Sequence, residues 1–263
     1  MGELKKRVLA ACFLAPVVAA IFYFLPLFWF FIFLACVALI AFYEIAVMAG
    51  IKGKTLLPFL IVIGFIPLYF ESLIMYCAWL LASPLIYLIV RFLMGGGKEE
   101  GINEEIIKGT IAIVFGEIFI VLPFIFMYFL KEINNLFPFT LLITLWASDI
   151  CAFMVGKTFG KRPLAPGISP KKTYEGLLGA IIGSMIIIVA FHRLLEFNLT
   201  KAVIAGALIG ILGQAGDLLE SVAKRVSHTK DSSAFIPGHG GILDRIDSFI
   251  FTAPFWYLCI VWV

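Results

Sequence analysis

The chain has 263 residues, of which 62% are hydrophobic and 14% charged, with a formal net charge of +3. A soluble domain is about 45–50% apolar and about 25% charged, so this composition excludes an ordinary water-solvated globule and requires lipid around much of the chain. The mean hydropathy of +1.08 agrees.

A helix needs about 20 predominantly apolar residues to cross a bilayer. Nine segments qualify as candidates: 8–24, 26–43, 56–71, 73–93, 109–130, 137–156, 174–192, 201–219 and 248–263. They predict an all-α polytopic integral membrane protein. The tight 24–26 connection makes the first two an antiparallel hairpin. The first segment follows Lys5, Lys6 and Arg7, but no small-residue cleavage site leads into a soluble domain, so it is read as a retained span. Basic residues set the orientation. The N-terminus and the loops near 44–55, 91–108, 157–173 and 220–247 share one side, which holds every Lys and Arg except Lys131, Arg193 and Lys201. That side is read as the cytoplasmic face of an inner membrane.

Cys12, Cys36, Cys77, Cys151 and Cys259 all fall in apolar stretches, without a CxxC pair or a histidine at ligand spacing. They read as small hydrophobes rather than metal ligands or disulfides. Residues 95–100, Gly-Gly-Gly-Lys-Glu-Glu, form a flexible polar loop. Residues 1–140 are otherwise nearly all membrane filler, a scaffold with one unassigned acid, Glu117, in the fifth segment. Residues 141–263 carry most of the charged pairs, Gly-Pro turns and intramembrane acids, so chemistry is expected there.

Asp149 lies near the cytoplasmic end of the sixth segment. A carboxylate in a span costs about 2.5–3.5 kcal/mol on insertion scales and needs a cation or hydrogen bonds to offset it. The following loop holds Gly156-Lys157-Thr158, Lys161-Arg162-Pro163 and Ser169-Pro170-Lys171-Lys172-Thr173. Lysines, hydroxyls and glycine backbone just before a helix suit an anion. Ser169 or Thr173 is expected to cap the seventh segment, with Pro170 early in that helix. The Walker pattern GxxxxGK[ST] is absent, which excludes a P-loop.

Asp217, Glu220, Ser221 and Lys224 recur at i, i+3, i+4 and i+7, one face of a helix leaving the eighth segment. The glycine-rich turn Pro237-Gly238-His239-Gly240-Gly241 precedes Asp244-Arg245-Ile246-Asp247 at the start of the last segment. Asp217, Asp244 and Asp247 are therefore expected to converge from two neighbouring helices. Carboxylates without thiols or paired histidines suit a hard cation such as Mg²⁺. Lys171, Lys172, Lys224, Arg225, Lys230 and Arg245 surround them with positive charge. Metal-holding acids and phosphate-holding cations are the components of phosphoryl or nucleotidyl transfer.

The pattern Ser221-x2-Lys224-Arg225-x4-Lys230-Asp231-x5-Pro237-Gly238-His239-Gly240-Gly241-x2-Asp244-Arg245-x-Asp247 resembles the signature of the phosphatidate cytidylyltransferase family. Ser169-Pro170-x-Lys172-Thr173-x-Glu175-Gly176 and Asp149-x2-Ala152 resemble further family motifs, and the likeness covers roughly 146–250. Phe153 stands where tyrosine is expected, and His228 and Ser233 where relatives often carry glycine. The resemblance implies a reaction of CTP (or dCTP) with phosphatidic acid to give CDP-diacylglycerol and pyrophosphate. No protein nucleophile is needed, because the lipid phosphate is itself the attacking oxyanion.

On this reading Asp217, Asp244 and Asp247 hold Mg²⁺, with Asp149 and Glu220 as further ligands or supporting groups. Lys224, Arg225 and Lys230 hold the triphosphate or the lipid phosphate. Ser169, Lys171, Lys172 and Thr173 close over a phosphate, and Arg245 neutralises the leaving pyrophosphate. Asp231, His239, Gly240 and Gly241 complete the substrate-binding set. The carboxylates are numerous enough for a second cation, and membrane lipids surround the site. A homodimer through the apolar N-terminal segments is compatible with the sequence, and no nucleic-acid partner is expected. A CTP-dependent lipid kinase or another lipid acceptor is the alternative within enzymes. An ion-coupled transporter is the alternative outside them, opposed by the lack of a repeat and by acids gathered at one end.

Overall fold

The structure, a computed structural model, describes residues 3–51, 56–70, 73–94, 99–227 and 241–262. Apolar runs that cannot satisfy their backbone in lipid must close it internally, and the chain does so as helices. In order these are α1 (Glu3–Phe24), α2 (Leu27–Met48), α3 (Leu56–Ile63), α4 (Ile66–Tyr69), α5 (Leu73–Met94), α6 (Glu99–Gly116), α7 (Leu122–Ile133), α8 (Leu136–Phe159), α9 (Tyr174–Phe191), α10 (Leu199–Val226), α11 (Leu243–Ile246) and α12 (Phe249–Val261). A π-helical turn, Glu117–Val121, joins α6 to α7 in one continuous rod. A short antiparallel hairpin, β1 (Pro163–Ala165) with β2 (Ser169–Thr173), links α8 to α9.

The chain is an all-α polytopic membrane protein. Among the described residues, six helices are long and apolar enough to cross a bilayer: Leu27–Met48, Ile74–Leu93, Glu104–Ile133, Leu136–Phe159, Tyr174–Phe191 and Leu199–Val226. Of the other three expected spans, 8–24 falls within α1, and 56–71 and 248–263 form shorter helices. Residues 56–71 split into α3 and α4 because Pro67 has no N–H to give the Ile63 carbonyl. The chain turns there at Gly64, whose missing side chain leaves room for the Glu117 carboxyl. Residues 248–263 yield α12, which has 13 residues. Cys36 and Cys77 lie exposed on the outer surface rather than buried.

Two packing systems hold the bundle. On one side α1, α2, α7, α8 and α12 interlock through aromatic side chains, with Trp256 wholly buried and its Nε1 donating to the Phe137 carbonyl at 3.0 Å. Lys131 on α7 is buried there, and its Nζ donates to the Phe22 carbonyl at 2.6 Å and the Tyr23 carbonyl at 3.3 Å. A cation at a helix C-terminus answers both the orphan carbonyls and the helix dipole. Lys131 thereby ties the α1–α2 hairpin to α7.

On the other side α8, α9 and α10 approach backbone to backbone. A side chain at Gly183 would meet the Ala147 carbonyl at 2.7 Å, so α8 and α9 pack this closely only with glycine there. The Ser148 hydroxyl donates across the same interface to the Ala180 carbonyl at 3.2 Å. This rigid trio presents the ends of α8 and α10 and the hairpin to one region, where the charges gather.

Candidate functional site

Helical spacing puts Asp217, Glu220 and Lys224 on one face of α10. The hairpin is held over that face by two sets of bonds. Glu175 Oε2 accepts the backbone N–H groups of Lys161 at 3.1 Å and Arg162 at 3.3 Å. Arg225 Nε donates to the Ile168 carbonyl at 3.1 Å. Lys172 of β2 is thereby delivered to Asp217, with Nζ 2.6 Å from Oδ2.

Thr173 is the residue that caps α9, accepting the Gly176 N–H at 3.0 Å. Ser169 and Pro170 lie in β2 rather than at the helix start, which corrects the expectation for Pro170. Lys171 is exposed on the same strand. Strand pairing with Pro163–Ala165 extends these residues before the helix can begin.

Asp244 sits in α11 and Asp247 just after it, and their side chains take different partners. Asp244 Oδ1 accepts from Lys224 Nζ at 2.8 Å, and Oδ2 accepts the Gly241 N–H at 3.0 Å. The same Lys224 Nζ lies 2.5 Å from Glu220 Oε2. Burial alone would raise the Asp244 carboxyl, but the bonds with Glu220, Lys224 and Gly241 hold it well below the usual carboxylate range. Asp247 is 5% exposed, and its Oδ1 accepts the Ser248 N–H at 2.7 Å. Burial pushes its carboxyl well above the ordinary range, and the Asp217 carboxyl beside it pushes further in the same direction. Gly216 on α10 lies against the Asp247 backbone carbonyl, and a side chain at 216 would collide with that oxygen.

Among the described residues, Asp217, Glu220 and Asp247 each place a carboxylate oxygen within 4.8 Å of the other two. Asp244 stands beside this group in its ion pair with Lys224. Asp149 on α8 is exposed and accepts from Gln214 Nε2 at 3.4 Å, with Asp217, Lys172 and Arg245 as its charged neighbours. Arg245 is exposed on α11. Lys230, Asp231, His239 and Gly240 lie outside the described residues.

The donor set fits a hard divalent cation. It is all oxygen, and Glu220 and Asp247 are buried. Glu220 Oε1 has no hydrogen-bond partner among the described residues. A divalent cation would satisfy three carboxyl groups held this closely, the unanswered Glu220 oxygen among them.

One residue of the site was not foreseen. Glu44, 2% exposed on α2, accepts the Ile242 N–H at 3.0 Å with Oε1 and the Leu243 N–H at 2.8 Å with Oε2. These are backbone donors at the start of α11 that the short helix cannot satisfy itself. Glu44 thus fixes the segment carrying Asp244, Arg245 and Asp247. Its only sequence signal is an acid at the end of a long apolar run, which by default marks function.

The sequence model of the cytidylyltransferase family matches residues 5–263. The chain is 33% identical over 193 residues to a phosphatidate cytidylyltransferase of Aquifex aeolicus, covering 72% of this chain and 71% of that protein. It is 41% identical over 140 residues to the phosphatidate cytidylyltransferase of Bacillus subtilis, covering 50% of this chain and 52% of that one. With the Synechocystis phosphatidate cytidylyltransferase the identity is 46% over 134 residues, covering 48% and 45%. The matched stretches thus span about half the length of the Bacillus and Synechocystis relatives.

Proposed function

The chain belongs to the cytidylyltransferase family, and from that premise we propose that it makes CDP-diacylglycerol and pyrophosphate from CTP and phosphatidic acid. The observation that carries this reading is the cluster of Asp217, Glu220 and Asp247 with Lys172 and Lys224 bonded to its edges. Acids of this kind hold a divalent cation, and the lysines beside them meet phosphate oxygens. An oxygen of the lipid phosphate attacks the α-phosphorus of CTP, the bond to the bridging oxygen of the β-phosphate breaks, and pyrophosphate leaves with that electron pair. The protein's share is positioning and charge neutralisation.

Mg²⁺ bound by Asp217, Glu220 and Asp247 would neutralise charge on the reacting phosphates. Asp244 keeps Lys224 in place, and Lys172 reaches the same space from the hairpin. Asp149 borders it from α8. The nine-segment reading puts this region on the cytoplasmic side of an inner membrane, where a soluble nucleotide meets a lipid headgroup. The charge distribution of the loops supports that orientation.

The test is turnover by purified protein given phosphatidic acid, Mg²⁺ and each of the four nucleoside triphosphates labelled at the base, with and without EDTA. Labelled lipid from CTP or dCTP, lost with EDTA, is the expected result. CDP and a phosphorylated lipid would instead identify a CTP-dependent kinase. Labelled lipid from no nucleotide, in folded protein, would remove the nucleotidyl-transfer reading.

A further inference from the structure

Among the described residues, three cavities stand out. One, of about 400 Å³, lies by Lys201 at the far end of α10, roughly 24 Å of helix from Asp217 at 1.5 Å per residue. A second, of about 480 Å³, runs between α2, α6 and α10 and has Glu220 in its wall. A third, of about 390 Å³, is lined by α1, α2, α7, α8 and the α11–α12 segment. Its wall is apolar and aromatic, including Val18, Phe33, Val37, Phe124 and Trp146, and among the described residues its one charged lining residue is Arg245.

The third cavity is aimed at the site by helical geometry. Ile242, Arg245, Ile246 and Phe249 line it at i, i+3, i+4 and i+7, while Asp244 and Asp247, on the same short stretch, are bonded to Lys224 and to the Ser248 N–H. On α8, Trp146 lines the cavity one helical turn before Asp149, and Arg245 and Asp217 are both charged neighbours of Asp149. An apolar chamber thus ends in a guanidinium at the edge of the carboxylate group. An alkyl chain bearing a phosphate matches that arrangement at both ends: hydrocarbon in the chamber and anion on the arginine. The second cavity has both Lys108 and the Glu220 carboxylate in its wall, so its lining is of mixed charge, whereas among the described residues the third carries a cation without an acid. The volume of the third lies within the range of about 300–1,000 Å³ common to ligand sites.

Resting on the nucleotidyl-transfer reading, we propose that this cavity holds one acyl chain of the phosphatidic acid acceptor, with Arg245 gripping its phosphate monoester at the mouth. Arg245 then serves the attacking phosphate rather than the departing pyrophosphate that the sequence reading gave it. Phosphatidylcholine, whose phosphate is a diester beside a cationic choline, is bound less well by the same arginine.

The experiment uses the full chain in nanodiscs with a phosphatidic acid carrying a diazirine near the end of one acyl chain. After photolysis, adducts are mapped by mass spectrometry. The expected result is labelling of α1, α2 and α8 at the lining residues, competed by unlabelled phosphatidic acid and weaker with a matched diazirine phosphatidylcholine. Val37→Trp fills the chamber and should lower this labelling by about tenfold, and by a similar factor the kcat/KM for long-chain but not dihexanoyl phosphatidic acid. Adducts confined to the Glu220 cavity, equal labelling by both lipids, or labelling indifferent to a folded Val37→Trp variant would overturn the proposal. If that variant does not fold, the wild-type map decides alone. Cavity adducts without any CDP-lipid product would keep the lipid site and remove the nucleotidyl-transfer reading.

Discussion

The helices before α8 and those from α8 onward both bury charge, but they answer it differently. In the first part the buried charges meet neutral dipoles. Lys131 takes two carbonyls, Glu44 takes two backbone N–H groups, and Glu117 takes the Trp79 Nε1–H at 3.0 Å. In the second part carboxylates face carboxylates, with lysines only at the edges. A charge satisfied by dipoles helps to hold a fold together. Carboxyl groups gathered in a buried place disfavour one another's charge, an arrangement that clusters at functional sites.

Substitutions sharpen that contrast. Asp247→Asn keeps a carbonyl for the Ser248 N–H while removing the charge. Turnover should fall by about 10³-fold, the scale of losing a main electrostatic contact, with unchanged size-exclusion behaviour in detergent. Robust activity would take Asp247 out of the charged group. Gly216→Val drives a side chain into the Asp247 carbonyl and displaces that carboxylate without touching it chemically. A shift of this kind costs about 10²-fold in kcat, measured with saturating CTP.

Glu44→Ala crosses the divide between the two parts. It strands two N–H groups at about 1–3 kcal/mol each, and loosening of α11 should lower kcat about tenfold. Glu44→Gln, which retains one acceptor oxygen, should fall between Ala and wild type. A thermal-stability loss with no change in kcat would place Glu44 with the purely structural charges. Glu117→Gln should be the mildest change. The amide oxygen still accepts from Trp79, so activity should remain within about twofold, as expected where only one neutral hydrogen bond is altered. A collapse of turnover there would break the comparison, because a charge in the first part would then be chemical.

The sequence was most legible where one local rule decides. Apolar runs became helices at nearly the expected places, and Asp217 with Glu220 shared a face because both lie within one uninterrupted helix. It was less legible where a choice depends on distant partners. Spacing of i and i+3 put Asp244 and Asp247 together, but their partners differ: Asp244 takes Lys224 and the Gly241 N–H, and Asp247 is buried against the Ser248 N–H. Pro170 fits the first turn of a helix as well as a strand, and only pairing with β1 separates the two. The break at Pro67 was available in the sequence but hidden by the hydropathy around it.

Glu44 and Ile242 are 198 residues apart in the chain, and this separation sets an order of assembly. While the ribosome is still working, the carboxylate of α2 has no α11 to hold. It reaches these two donors only once residue 243 has been made. The part of the site most dependent on geometry is thus also the last to be completed. A chain stopped short of residue 242 would leave the Glu44 carboxylate in the bundle without these two donors.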